Sequence, residues 1–160
     1  MIQLSYTQAP HLNDKERDNF LKEAPTAIIC SVNEDGTIHG VPVWFKYESG
    51  QFLITTPEKS QKARNIAKNN KITLIIYVQS PAIRGVIVYG KGEVDLTAWD
   101  PEAINMLEKY MSREEAEKWW SILNEYAKWV KITVKPERMA SFDYTKDDVW
   151  KEMEKKMGWE

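Results

Sequence analysis

The sequence predicts a mainly β protein, a small antiparallel β-barrel with helices packed against it. Short β-branched and apolar runs recur at close spacing, and turn signals such as NEDG (33–36) and ESG (48–50) separate them. Helical periodicity is confined to a few segments, most of them late in the chain. Together these features favour strands pairing with their sequence neighbours, and a barrel as the way to protect their edges.

Residues 13–24 (NDKERDNFLKEA) predict a helix: Asn13 is an N-cap, Asp14 and Glu16 suit the first turn, and Pro25 stops it. Strands follow at 26–33, 37–47 and 51–55, an antiparallel meander in which Gly40 and Pro42 interrupt the second strand. Residues 71–78 (KITLIIYV) read as a buried strand and 84–96 as a long one, with Gly90 and Gly92 marking a bend or bulge. Residues 101–131 repeat apolar positions at helical spacing, with Ser112 as an internal cap. A last strand covers 130–142, and 147–157 forms a terminal helix.

A length of 160 residues suits one domain, expected to have its core at 25–96 and 130–143, a helical insert at 101–130 and a C-terminal helix at 147–157. Hydrophobic residues make up 42 % and charged residues 29 %, enough apolar content for a core. With a net charge of −2, nothing favours a general nucleic-acid binder, and no nucleic-acid partner is expected. The one cysteine, Cys30, lies in an apolar run and reads as buried and inert; the two histidines, His11 and His39, are too far apart in sequence to suggest a metal site. The N-terminal stretch MIQLSYTQAPHLNDKERD lacks the pattern of a secretory leader, and no run approaches the ~20 apolar residues that span a bilayer. The expectation is a cytoplasmic protein with no membrane contact.

The segment TTPEKSQKARNIAKNN (55–70) carries the chemistry. Thr56 is a good N-cap, Pro57 fits a first helical position and Ser60 is a second possible cap. Ala63, Ile66 and Ala67 form a narrow apolar face, leaving Ser60 and Lys62 near the opening turn and off that face. Cations at a helix start oppose the helix dipole. A hydroxyl, free N–H groups and an ammonium converging there make an anion site, with phosphate as the natural guest. Upstream, HGVPVWF (39–45) combines Gly, Pro and Trp in one strand. Pro42 cannot donate to a ladder, and released backbone beside aromatic surface suits a flat heteroaromatic ring.

The order strand, turn, VPVWFK, turn, FLITT, SQKARNIAKNNKITLII, then RGVIVYGKGEV, over about residues 25–96, resembles the FMN-binding split-barrel family, whose named member is pyridoxamine 5′-phosphate oxidase. Its most diagnostic part is the S-x-K-x-x-N core followed by a buried strand. The resemblance implies a six-stranded split barrel and a homodimer with two flavin sites at its interface. By position, Val41, Pro42, Val43 and Trp44 would line the isoalloxazine, and Thr55 and Thr56 would contact the ring edge or ribityl chain. Ser60, Gln61 and Lys62 would hold the phosphate, with Arg64 a weaker candidate. Arg84 and Gly85 match a region that approaches the partner's cofactor.

Val41 stands where the pyridoxamine phosphate oxidases carry an Arg, and KPERMASFDYTKDDVW lacks their C-terminal Arg-x-His element. The resemblance therefore points to the broader group of split-barrel flavin and deazaflavin proteins rather than to vitamin B6 oxidation. The expected function is an FMN-dependent oxidoreductase using NADH or NADPH. The alternatives are a reductase using coenzyme F-420, whose longer basic groove Lys59, Lys62, Arg64 and Lys68 would supply, and a non-catalytic flavin-binding carrier dimer. Trp119, Trp120 and Trp129 read as packing or dimer contacts on a helix, Trp150 and Trp159 as a cover for the partner's flavin, and His39 as an ordinary strand residue.

Overall fold

Strand residues that alternate between buried and partly exposed give the sheet one apolar side, and the sheet bends around it. The structure, a computed structural model, describes residues 9–97 and 99–159; residues 1–8, part of the stretch read above for a leader, lie outside it. In chain order the elements are α1 (Asp14–Glu23), β1 (Ala27–Val32), β2 (Ile38–Val43), β3 (Lys46–Glu48), β4 (Gln51–Pro57), α2 (Gln61–Lys68), β5 (Lys71–Val78), β6 (Arg84–Asp95), α3 (Asp100–Leu107), α4 (Arg113–Tyr126), β7 (Trp129–Asp143) and α5 (Asp148–Met157). The strands form one antiparallel sheet of seven in the order β2-β1-β5-β6-β7-β4-β3.

Ala27 and Ile29 of β1, Phe52 and Ile54 of β4, Ile72, Leu74 and Ile76 of β5, Val86 and Val88 of β6, and Ile132 and Val134 of β7 meet in a single cluster. Strands from both ends of the sheet thus share one core, as a barrel requires. No ladder joins β2 to β3 among the described residues, so the barrel is split there. Phe20, Leu21 and Ala24 bring α1 into the same core. That helix starts as its sequence predicts, with Asn13 and Glu16 forming a reciprocal capping box. A second cluster of Trp99, Ala103, Met106, Leu107, Ala116 and Trp120 holds α3 against α4.

The structure corrects several boundaries. The strand expected at 37–47 is two strands, β2 and β3, broken at Trp44 and Phe45, so the sheet has seven strands rather than six. Helix α2 starts after Ser60, not after Thr56, because β4 pairs with β7 as far as Pro57, opposite Trp129. Pro57 suits the end of a strand as well as the start of a helix, and pairing decided. The helical segment 101–131 is two helices, and β7 claims Trp129. Ser112 caps α4 as expected, and Glu115 completes a capping box.

Candidate functional site

The start of α2 is built by the strand that feeds it. Inner-face Thr56, buried at the end of β4, donates its hydroxyl to Ser60 Oγ at 3.0 Å. Ser60 is in an extended conformation (φ −66°, ψ 153°) and its Oγ accepts from the Ala63 N–H at 3.3 Å. Ser60 thus accepts twice, leaving its own proton uncommitted. Lys62 follows two residues later. It is half-buried, has no carboxylate partner among the described residues, and burial lowers its pKa below the ordinary lysine value. An ammonium held in partial burial without a counter-ion is poised for an anion.

The other basic groups of this helix are engaged. Arg64 donates to the Lys59 carbonyl at 2.6 Å and to Gln61 Oε1 at 2.6 Å, so its guanidinium lies back along the first turn. Gln61 in turn donates to Asn65 Oδ1 at 2.7 Å. Lys68 pairs with Glu34. A hollow of about 270 Å³ beside the helix is lined by Glu34, Gln61, Arg64, Asn65 and Lys68.

Asn65, the last letter of the S-x-K-x-x-N core, has a role that sequence reasoning missed. It is buried and donates to Ser31 Oγ at 3.1 Å and Asn33 Oδ1 at 2.8 Å. It therefore ties α2 to β1 and to the turn after it. Its burial is not legible in the sequence, because its partners lie more than thirty positions upstream. Gly92 of β6 sits under the same helix, where an added Cβ would come within 3.0 Å of Ile66 Cγ2.

The remaining residues singled out by resemblance are dispersed within one chain. Thr55 points to the face opposite Thr56, and its hydroxyl is buried without a partner among the described residues. Val41, Pro42 and Val43 lie on β2, the edge of the sheet, with Val41 and Val43 half-buried and Pro42 exposed. Trp44 follows at 39 % exposure. Arg84 and Gly85 lie at the far end of the β5–β6 pair: Arg84 is opposite Val78, whereas the chain enters β5 from α2 at Lys71, opposite Lys91. The Arg84 guanidinium is 5.6 Å from the centre of the Phe20 ring, and its Nε is buried without a partner among the described residues. Gly85 has a packing reason of its own, since a Cβ there would lie 2.6 Å from the Ile76 carbonyl oxygen.

Two further polar residues, unforeseen from sequence, stand at the split. Tyr110 and Lys109, in the turn between α3 and α4, both contact Phe45. The Lys109 ammonium lies 3.7 Å from the centre of the Phe45 ring, and burial lowers its pKa to about 8. Lys109 also lines a cavity of about 620 Å³ with Lys46, Tyr47, Glu48, Asn105 and Glu108, which contains none of the residues named by resemblance. An unfolded lysine titrates near ~10.4, so between these values the unfolded chain binds more protons. Stability of the wild type relative to Lys109→Met should therefore rise from pH 8 to pH 10, as the costly buried charge is lost. Urea denaturation of both proteins across that range checks it, and a difference independent of pH would mean the ammonium is fully solvated.

Trp120 is buried in the α3–α4 core, where its indole N–H donates to Asp100 at 2.9 Å. Trp129 packs on that core from β7 rather than from a helix. Trp119 is 45 % exposed on α4, Trp150 packs on Tyr144, and Trp159 is 67 % exposed. His39 is a half-buried strand residue opposite Ser31. No helix is long and apolar enough to cross a membrane, and no cluster of metal-ligating side chains occurs among the described residues.

Solved structures share this architecture. A conserved hypothetical protein from Mycobacterium tuberculosis aligns at a TM-score of 0.71 and 22 % identity, covering 88 % of this chain and 91 % of that one. An F-420 reductase aligns at 0.60 and 22 % identity, over 76 % of this chain and 94 % of its own. An FAD-binding protein from Mesorhizobium loti aligns at 0.63 and 14 % identity, over 84 % and 97 %. At these identities the likeness is one of fold. No curated protein matches the sequence. The family model described as pyridoxamine 5′-phosphate oxidase matches residues 14–149, spanning α1, every strand and α2. With that match over a split barrel of the same architecture, the chain belongs to the pyridoxamine 5′-phosphate oxidase family.

Proposed function

We propose that this protein binds FMN and acts as a flavin-dependent oxidoreductase, working as a homodimer with NADH or NADPH as electron donor. The observation that carries the reading is Lys62, a half-buried ammonium with no carboxylate partner among the described residues, in the first turn of a helix capped by Ser60. A flavin monophosphate would supply the missing charge and accept the free Ser60 proton and the first N–H groups of α2. Gln61 and Arg64, bonded to each other, would brace that turn rather than reach for the phosphate. Bound FMN would supply the hydride and electron transfer, while the protein binds and orients it. The strand Val41, Pro42, Val43 and Trp44 would face the ring with Thr55 and Thr56 nearby, and Arg84 and Gly85 would approach the partner's flavin.

The names of two structural neighbours, one an F-420 reductase and one an FAD-binding protein, support a flavin-type cofactor. The longer basic groove that coenzyme F-420 would use is depleted, because Arg64 and Lys68 are already engaged. That favours the monophosphate. The dimer is supported by the outer sheet face. Cross-strand register places Pro42, Ile28, Ile75 and Ile87 in one row, with the exposed Ile38 on the same side opposite Val32. Such an apolar face suits burial against a second copy.

The test is the absorption spectrum and mass of whatever denaturation releases from the purified protein, with added FMN titrated in parallel. Released or bound FMN is the expected result. A released deazaflavin would move the reading to coenzyme F-420, and a colourless protein that binds neither would overturn it.

A further inference from the structure

Phe45 is the residue at which the barrel splits. It lies between β2 and β3, outside both ladders, and its side chain is fully buried. Backbone polar groups in such a place need partners from elsewhere. One side chain supplies both: the Tyr110 hydroxyl accepts from the Phe45 N–H at 2.9 Å and donates to the Phe45 carbonyl at 2.8 Å. Lys109 adds a second donor to the same carbonyl at 3.1 Å. The Tyr110 ring also stacks on Trp44, with centroids 4.5 Å apart and planes 12° from parallel. Burial, partly opposed by the bond to Phe45, pushes the Tyr110 pKa up to about 12, so the hydroxyl stays protonated and able to donate.

We propose that Tyr110 is a positioning residue for the flavin ring, a clip from the α3–α4 turn that fixes Phe45 and Trp44 and so holds the end of the strand 41–44 in one conformation. The inference rests on the FMN reading above and adds to it a residue outside the segment that carries the resemblance. Residues 44 and 45 belong to no ladder, so without the clip the Phe45 side chain stays anchored in the core, but its N–H has no other partner among the described residues and its carbonyl keeps only Lys109. A flat ligand laid along that strand would then bear the ordering cost itself. The ring stack does the same for the Trp44 side chain, presenting the indole as a rigid plane.

The experiment compares wild type with Tyr110→Phe, which keeps the ring against Trp44 and removes both hydrogen bonds. Amide exchange at Phe45, FMN affinity and the visible circular dichroism of the flavin at saturating FMN are the readouts. The expected results are faster Phe45 exchange with β1–β2 amides unchanged, FMN binding about tenfold weaker for two lost hydrogen bonds, and an altered flavin dichroism. Altered dichroism at saturation separates positioning from a general loss of stability. Lys109→Met, which removes only the second donor, should weaken binding about twofold in the same direction. Unchanged affinity and dichroism in Tyr110→Phe would overturn the clip and leave the FMN reading standing. A wild type that binds neither FMN nor a deazaflavin would overturn both.

Discussion

Lys62→Ala should weaken FMN binding by about 2 kcal/mol, roughly thirtyfold in Kd, as expected for one charge-assisted hydrogen bond. The ligand-free protein should be no less stable than wild type. The reason is the state of Lys62 without ligand: half-buried, lacking a carboxylate partner among the described residues, with burial working against its charge. Removing it costs the empty site nothing electrostatic and relieves the desolvation of an ammonium. Affinity lost while stability is kept marks a group placed for a ligand rather than for the fold. Ser60→Ala should behave differently, because Ser60 also caps α2. That variant should lose affinity together with about 1 kcal/mol of stability. Titration calorimetry with FMN and urea denaturation read the two effects. Unchanged affinity in Lys62→Ala would remove the phosphate assignment.

Gly90→Ala should cost about 3 kcal/mol of stability, at the upper end of ordinary overpacking. Gly90 stands at the bulge between β6 and β7, where the register shifts after Tyr89. A Cβ there would lie 2.4 Å from the Lys135 carbonyl oxygen and 3.1 Å from Pro136 Cα. Those are backbone atoms of the neighbouring strand, so no rotamer change can make room. Gly40→Ala is the control: its Cβ would meet nothing closer than Cys30 Sγ at 3.6 Å, and little change is expected. Equal midpoints for the two variants in urea would show that β7 yields at the bulge. The β6–β7 pair lies in the middle of the sheet and is joined over the full length of β6, so the effect should be global rather than local.

Much of this fold is legible because its signals are local. The caps at Asn13 and Ser112 form as expected, and the structure completes each as a capping box with a glutamate three residues on. The alternation in KITLIIYV faces Ile72, Leu74 and Ile76 inward, as a period of two requires. Gly90 signalled a bulge and marks one, whereas Gly92 serves the close approach of Ile66, which no local pattern distinguishes from a bend. Pro57 reads from sequence as a helix start, but it ends β4 instead, because β4 pairs with β7 as far as Trp129.

The candidate site was legible only as a set of residue types. TTPEKSQKARNIAKNN indicated that an anion could bind, since a hydroxyl and cations near a helix start are visible in the string. The resemblance sets Lys62 ahead of Arg64, and the geometry gives a physical difference between them: Arg64 bends back onto the Lys59 carbonyl, whereas Lys62 is left without a carboxylate partner among the described residues.

The sequence by itself determined most of the strands, the caps at Asn13 and Ser112 and the residue types around α2, because each depends on interactions within a turn or two of chain. Tertiary structure alone decided where the barrel splits and what closes the gap. Tyr110 reaches Phe45 from 65 positions away, and Asn65 reaches Ser31 from 34. Such contacts exist only once the sheet has curled and returned distant segments to one another, and the physical reason is that a buried backbone or amide group bonds to whatever folding brings beside it.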